Sequence, residues 1–166
     1  MRTSLAVLLA VLYLFPAGGA LSVSPAPAYP ESTLLPPPVP WRYVETLATE
    51  CAKTGVPYWI AARLFAWESG WRSAARNVNP NGTEDLGIAQ LNSAYLSYFS
   101  RFSDGPLDPL DGHASIRVGV RYLAELYRVT GSWRGAVAAY NCGPGRYRRG
   151  NLPAGTVRHV RAVLGE

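Results

Sequence analysis

Along the chain, stretches of helical hydrophobic spacing alternate with clusters of helix-breaking residues. Trp41 to Thr54 reads as a first helix, stopped by Gly55. Pro57 opens a second helix, Tyr58 to Ser69. There Trp59, Ile60, Leu64, Phe65, Ala66 and Trp67 make the segment apolar nearly all round, the pattern of a buried helix, and Gly70 ends it. Arg72 to Asp85 is polar and turn-rich, with Asn79-Pro80-Asn81-Gly82 as a loop signal. A third helix is predicted from about Gly87 to Phe99. Asp104-Gly105-Pro106 and Asp108-Pro109 mark a further loop. Ser115 to Val129 carries Ile116, Val120, Leu123, Leu126 and Tyr127 at helical spacing, closed by Gly131. Ser132 is an N-cap for a short helix to about Tyr140, Asn141 to Pro153 reads as irregular, and Thr156 to Leu164 forms a last helix. No segment alternates as a strand does and no internal repeat is present. The class is all-α, with room for a small strand pair in the loop after Gly70.

The first forty residues do not fit this pattern. Arg2 followed by the uncharged run Leu5 to Phe15, then Pro16 to Ala20, has the layout of a secretory signal peptide over residues 1–20. An uncleaved anchor is the alternative, although the run is shorter than the roughly 20 residues a membrane span needs. Pro25, Pro27, Pro30, Pro36, Pro37, Pro38 and Pro40 make residues 21–40 an extended spacer. The folded domain is expected over residues 41–166, exported to the periplasm or the cell surface.

Hydrophobic residues make up 48% of the chain and charged residues 16%, enough apolar material for one core. The net charge is +5, nearly all from arginine, with Arg146, Arg148 and Arg149 as a local cluster. This balance suits an anionic partner such as the cell wall, and equally ordinary solubility. No phosphate-binding glycine loop is present, and His113 and His159 show no metal-ligand spacing, so neither metal nor cofactor is expected. In an oxidising compartment Cys51 and Cys142 form either a disulfide or two free thiols.

The chemistry concentrates on Glu68. It lies at the end of the most apolar helix, beside Trp67 and one turn from Leu64 and Phe65. Loss of hydration there raises a carboxyl pKa and suits a general acid. The competing reading is a Glu paired with Arg63 or Arg72.

Three pieces in order carry a resemblance. They are Ala66-Trp67-Glu68-Ser69-Gly70-Trp71, Asp85-Leu86-Gly87-Ile88-Ala89-Gln90-Leu91-Asn92 and Ala138-Ala139-Tyr140-Asn141-Cys142-Gly143-Pro144-Gly145. Together with the tail from Leu152 to Leu164, they resemble the SLT-type lytic transglycosylases, a family with the goose-type lysozyme fold. The resemblance implies Glu68 as the single catalytic acid/base and Ser69, Gln90, Asn92, Tyr140 and Asn141 as substrate-binding residues. It further implies cleavage of peptidoglycan glycan strands between N-acetylmuramic acid and N-acetylglucosamine, leaving 1,6-anhydromuramoyl ends. Cell-wall or secretion machinery as partner, no nucleic acid and a monomeric state complete the expectation. Ala89 stands where the family has methionine, Cys142 where it has alanine, and His159 where it has an aromatic residue, as a structural substitute. The Asn79 to Asp85 loop resembles lysozyme-like components of secretion systems. It leaves two alternatives open: a hydrolase using Asp85 or Glu84 as second carboxylate, and a wall-binding module without catalysis. On the bland reading, Asp85 caps the third helix and Glu84 is solvated.

Overall fold

The computed structural model describes residues 38–166. The signal-peptide segment and the spacer up to residue 37 lie outside the described residues. The domain is mainly helical: α1 Trp41–Thr54, α2 Tyr58–Ser69, α3 Leu96–Phe99, α4 Gly112–Thr130, α5 Trp133–Cys142, α6 Pro144–Arg148 and α7 Ala154–Leu164. A small antiparallel sheet, β1 Arg76–Val78, β2 Glu84–Leu86 and β3 Leu91–Asn92, fills the segment between α2 and α3. Among the described residues no helix is long and apolar enough to cross a membrane.

Local chemistry sets the helix ends. Gly55, Gly70 and Gly131 adopt left-handed conformations and close α1, α2 and α4 with backbone bonds to Cys51, Ala66 and Tyr127. Pro57 precedes α2 instead of opening it, and its carbonyl accepts from Ile60 and Ala61. Asp111 accepts from Ala114 N at 2.7 Å, so α4 begins three residues before the apolar spacing does. Ser132 caps α5 as its sequence predicts.

α4 packs between α1 and α5, α7 lies across α5 and α2, and α2 runs through the middle. Ile60, Ala61, Ala62, Leu64 and Phe65 of α2 are fully buried, whereas Trp67 in its last turn is 54% exposed. The all-round apolar character thus buries the middle of the helix, with Tyr58 and Trp59 partly buried at its start and the Trp67 indole at the surface.

A buried ion pair ties α1 to α4. Glu50 is 2% exposed. Arg121 meets it with two bonds, Nε to Oε2 at 2.8 Å and Nη2 to Oε1 at 3.2 Å. The same guanidinium donates to the Phe102 carbonyl and to Asp104, and Lys53 adds a 3.1 Å contact to Glu50.

The helix expected from Gly87 to Phe99 is not one. Residues 87–90 form a turn, β3 follows, and only Leu96–Phe99 is α-helical. Asn79 to Asp85 contributes a hairpin, so the expected strand pair is present with a third strand added. Asn141 to Pro153, read as irregular, contains the short α6, opened by Pro144.

Both cysteines are free, so the chain takes the second of the two alternatives. Cys51 is buried on α1, which pushes its thiol up to about 12, and Cys142 is half-buried at the end of α5. Thiol labelling of the unfolded, unreduced chain is expected to modify both sites; unmodified cysteines would mean a disulfide.

Candidate active site

Glu68 projects from the last turn of α2 with 16% of its side chain exposed. Burial, and then the charge of Asp85, raise its carboxyl to about 8, so it is protonated at neutral pH. Arg72, one of the two arginines considered as its partner, donates to the Ser69 carbonyl at 2.9 Å. The polar neighbour is instead His159 of α7, whose Nε2 stands 3.6 Å from Glu68 Oε1. Burial lowers His159 to about 4, so the pair is neutral at rest. The Trp67 ring meets His159 edge-on, with centroids 6.0 Å apart.

The second wall comes from residues 85–92, held by side chains from three helices. Ser69 Oγ donates to the Ile88 carbonyl at 2.9 Å. Ser115 Oγ of α4 accepts from Ala89 N at 3.1 Å. Tyr140 Oη of α5 donates to the Ala89 carbonyl at 2.8 Å. Gly87 (φ 72°) and Gln90 (φ 49°) are both left-handed, which keeps this segment out of a helix. A left-handed non-glycine residue is uncommon and concentrates at functional sites. The Gln90 amide donates to the Gly87 carbonyl at 2.9 Å, and the residue is partly exposed.

These contacts revise several expected roles. Ser69 is 3% exposed, so it anchors the wall and is out of reach of a sugar. Asn92 donates to Asp85 at 2.7 Å and to Thr83 at 3.0 Å, and its oxygen accepts from Ala94 N, so it braces the sheet. Ala89 is fully buried against α4, where a Cβ on Gly119 would come within 2.7 Å of it. It offers no substrate contact. Asp85 lies in β2 opposite Asn92, not at a helix start, and its charge acts on Glu68. Glu84 pairs with Arg76 at 2.9 Å on the outer face.

Tyr140 lies within electrostatic reach of Glu68, and Asn141 follows it at the end of α5. Burial, and then the Glu68 charge, push the Tyr140 phenol well above its ordinary value, so it stays a neutral donor. Asn141 is exposed, and its Oδ1 accepts from buried Thr156 at 2.7 Å, which fixes the plane of its amide. Sequence reasoning missed three participants: Trp67 as an exposed platform, Thr156 as the clamp on Asn141, and His159 as the neighbour of the acid. An apolar residue beside a catalytic-type carboxyl was the available signal for Trp67; the other two come from the packing of α7.

Among the described residues no three His, Cys, Asp or Glu side chains converge as metal ligands. The site is therefore one buried acid, a neutral imidazole, an exposed indole and the amides of Gln90 and Asn141. This set can protonate a leaving oxygen and grip an amide-bearing sugar.

Residues 46–157 match the family model described as the transglycosylase SLT domain. The chain is similar to an inactive mutant of the lytic transglycosylase Slt from Pseudomonas aeruginosa, with 26% identity and a TM-score of 0.64 over 75% of this chain and 23% of that one. It shares its fold with the 70-kDa soluble lytic transglycosylase in complex with bulgecin A, at 24% identity and TM-score 0.65 over 75% and 23% of the two chains. The 70-kDa enzyme of Escherichia coli shares it too, at 23% identity and TM-score 0.58 over 73% and 22%. The chain spans less than a quarter of the length of these proteins. No curated protein matches it. With the family model spanning the acid helix, the turn wall and the Tyr140-Asn141 helix end alike, this chain belongs to the transglycosylase SLT domain family.

Proposed function

We propose that the chain is a peptidoglycan lytic transglycosylase that cleaves the β-1,4 bond between N-acetylmuramic acid and N-acetylglucosamine. The observation that carries this reading is Glu68: a buried carboxyl, protonated at neutral pH, beside an exposed tryptophan. Glu68 gives its proton to the glycosidic oxygen as the bond to the anomeric carbon breaks. The 2-acetamido group of the same muramic acid shares the positive charge left on that carbon, the substrate-assisted route that needs no carboxylate nucleophile. The ionised Glu68 then takes the proton of the 6-hydroxyl, whose oxygen closes on the anomeric carbon. The product is a 1,6-anhydromuramoyl end, no water is added, and Glu68 is returned protonated. Asn141 and Gln90 are the polar side chains offered to the sugar, and Trp67 is a stacking surface for its apolar face.

A lysozyme-like hydrolysis is the second reading, favoured by one observation, the charge of Asp85 acting on Glu68. Against it, Asp85 is bonded to Asn92 and Glu84 is turned to Arg76. Purified peptidoglycan digested by the chain and analysed by mass spectrometry separates the two. Products one water lighter than reducing muropeptides are expected, and reducing ends would establish hydrolysis. Asp85→Asn should keep the anhydro products. It should also move the alkaline loss of activity to lower pH, because removing the negative neighbour lowers the Glu68 pKa. A near-complete loss of turnover in Asp85→Asn would make Asp85 the base. Binding without any product would leave only a wall-binding module.

The substrate lies outside the cytoplasmic membrane, and the N-terminal pattern is that of a secretory signal, so we place the domain in the periplasm or at the cell surface. A wall-opening role within secretion or cell-wall machinery goes with that placement.

A further inference from the structure

His159 is 1% exposed, and neither ring nitrogen has a hydrogen-bond partner among the described residues. Buried polar atoms are nearly always satisfied, and an imidazole with both nitrogens unmet calls for an explanation. Nε2 points at Glu68 Oε1 from 3.6 Å, just beyond hydrogen-bond range and closable by a small side-chain rotation. The Trp67 ring edge-on to the imidazole holds it in that place.

We propose that His159 is a positioning residue for Glu68: its Nε2–H donates to the carboxylate after Glu68 has given up its proton, and holds that carboxylate for the return step. The proposal rests on the acid/base role given to Glu68 above. His159 keeps its own proton throughout, so the proton balance of the reaction is unchanged. A protonated carboxyl is a poor acceptor and an ionised one a strong acceptor, so the bond strengthens as charge develops. The other titratable groups facing Glu68 cannot do this. Asp85, from β2, is an anion that opposes ionisation, and the Tyr140 hydroxyl, from α5, is committed to the Ala89 carbonyl. That leaves the neutral imidazole from α7.

The chain has two histidines, so nitrogen-15 NMR of the imidazole rings can be read directly in the parent protein. His159 is expected to be neutral and in the Nε2–H tautomer. Its ring signals should shift with a midpoint near the alkaline titration of Glu68, and the shift should vanish in Glu68→Gln. The Nδ1–H tautomer, or no such shift, would overturn the proposal. In kinetics, His159→Phe keeps a flat ring without the donor. It should lower kcat by about tenfold with little change in KM, and move the alkaline loss of activity to higher pH, since the ionised acid loses its support. His159→Gln, which presents an amide N–H near the same point, should recover most of the rate. Phe and Gln variants that behave alike would mean that the ring only packs. If His159→Phe does not fold, the parent titration still decides. A chain that releases no muropeptides would overturn the lytic reading while leaving the imidazole titration to judge the contact.

Discussion

Glu68→Gln is expected to cut turnover by about a thousandfold or more, the scale of a lost general acid and base, while leaving glycan binding in place. The same substitution should change how stability depends on pH. Glu68 is raised from 4.5 to about 8 in the fold, so its contribution is fully present below 4.5 and is lost as pH rises through 8. At about 1.4 kcal/mol per pH unit, the full loss is about 5 kcal/mol. His159 has the opposite sign. Held down at about 4, it contributes stability above its ordinary 6.5 that is lost as pH falls through 4. The two slopes oppose one another between 4.5 and 6.5, so from this pair the parent should be flat there and lose about 2 kcal/mol from 6.5 to 8. Glu68→Gln should instead gain stability up to 6.5 and stay level to 8. Urea unfolding across this range checks it. A parent and variant with parallel curves would mean that Glu68 is not desolvated as the structure has it.

Gly87→Ala carries the other large effect. Gly87 has φ +72°, and a Cβ there would sit 1.8 Å from the Pro109 carbonyl oxygen and 3.0 Å from Ser115 Oγ. The left-handed conformation costs about 1–2 kcal/mol for an alanine, and the collision with backbone adds about 1–3 kcal/mol. The wall it deforms carries Gln90 and the carbonyl that Tyr140 holds, so activity should fall together with the unfolding midpoint. Gly82 is the control, left-handed at φ +80° with nothing within 4 Å, where alanine should cost only the conformational part. Equal losses at both glycines would mean that the Pro109 contact yields freely.

The contrast between α2 and the 87–99 segment shows what local pattern conveys. Proline and glycine bracket α1 and α2, and these signals act within a few residues, so both helices run as their sequence reads. From Leu91 to Phe99 the apolar spacing is equally helical. There the outcome is decided by Ser69, Ser115 and Tyr140, which capture the backbone of residues 88 and 89 from 19, 26 and 51 positions away. No local pattern records such bonds. Glu68, Tyr140 and Asn141 were legible because a carboxyl in an apolar helix and a polar pair at a helix end are anomalies in themselves. Ser69 and Asn92 were legible as motif positions, while their partners, the Ile88 carbonyl and Asp85, were not, since motif position does not say which way a side chain turns. His159 was legible only as a departure, because its meaning depends on α7 lying across α2.

The Glu50–Arg121 pair limits which sequences can carry this fold. A lineage that exchanged Arg121 alone would leave a carboxylate that is 2% exposed with only the exposed Lys53 as its partner, at a cost approaching the roughly 3 kcal/mol of a broken buried pair. That is a large share of the stability of a domain this size. Neither position can drift by single steps. Both would have to turn apolar together, and Asp104 and Lys53, which lean on the same charges, would then be released to vary. Relatives of this chain should therefore divide into two groups, those that keep the whole charge cluster and those that keep none of it.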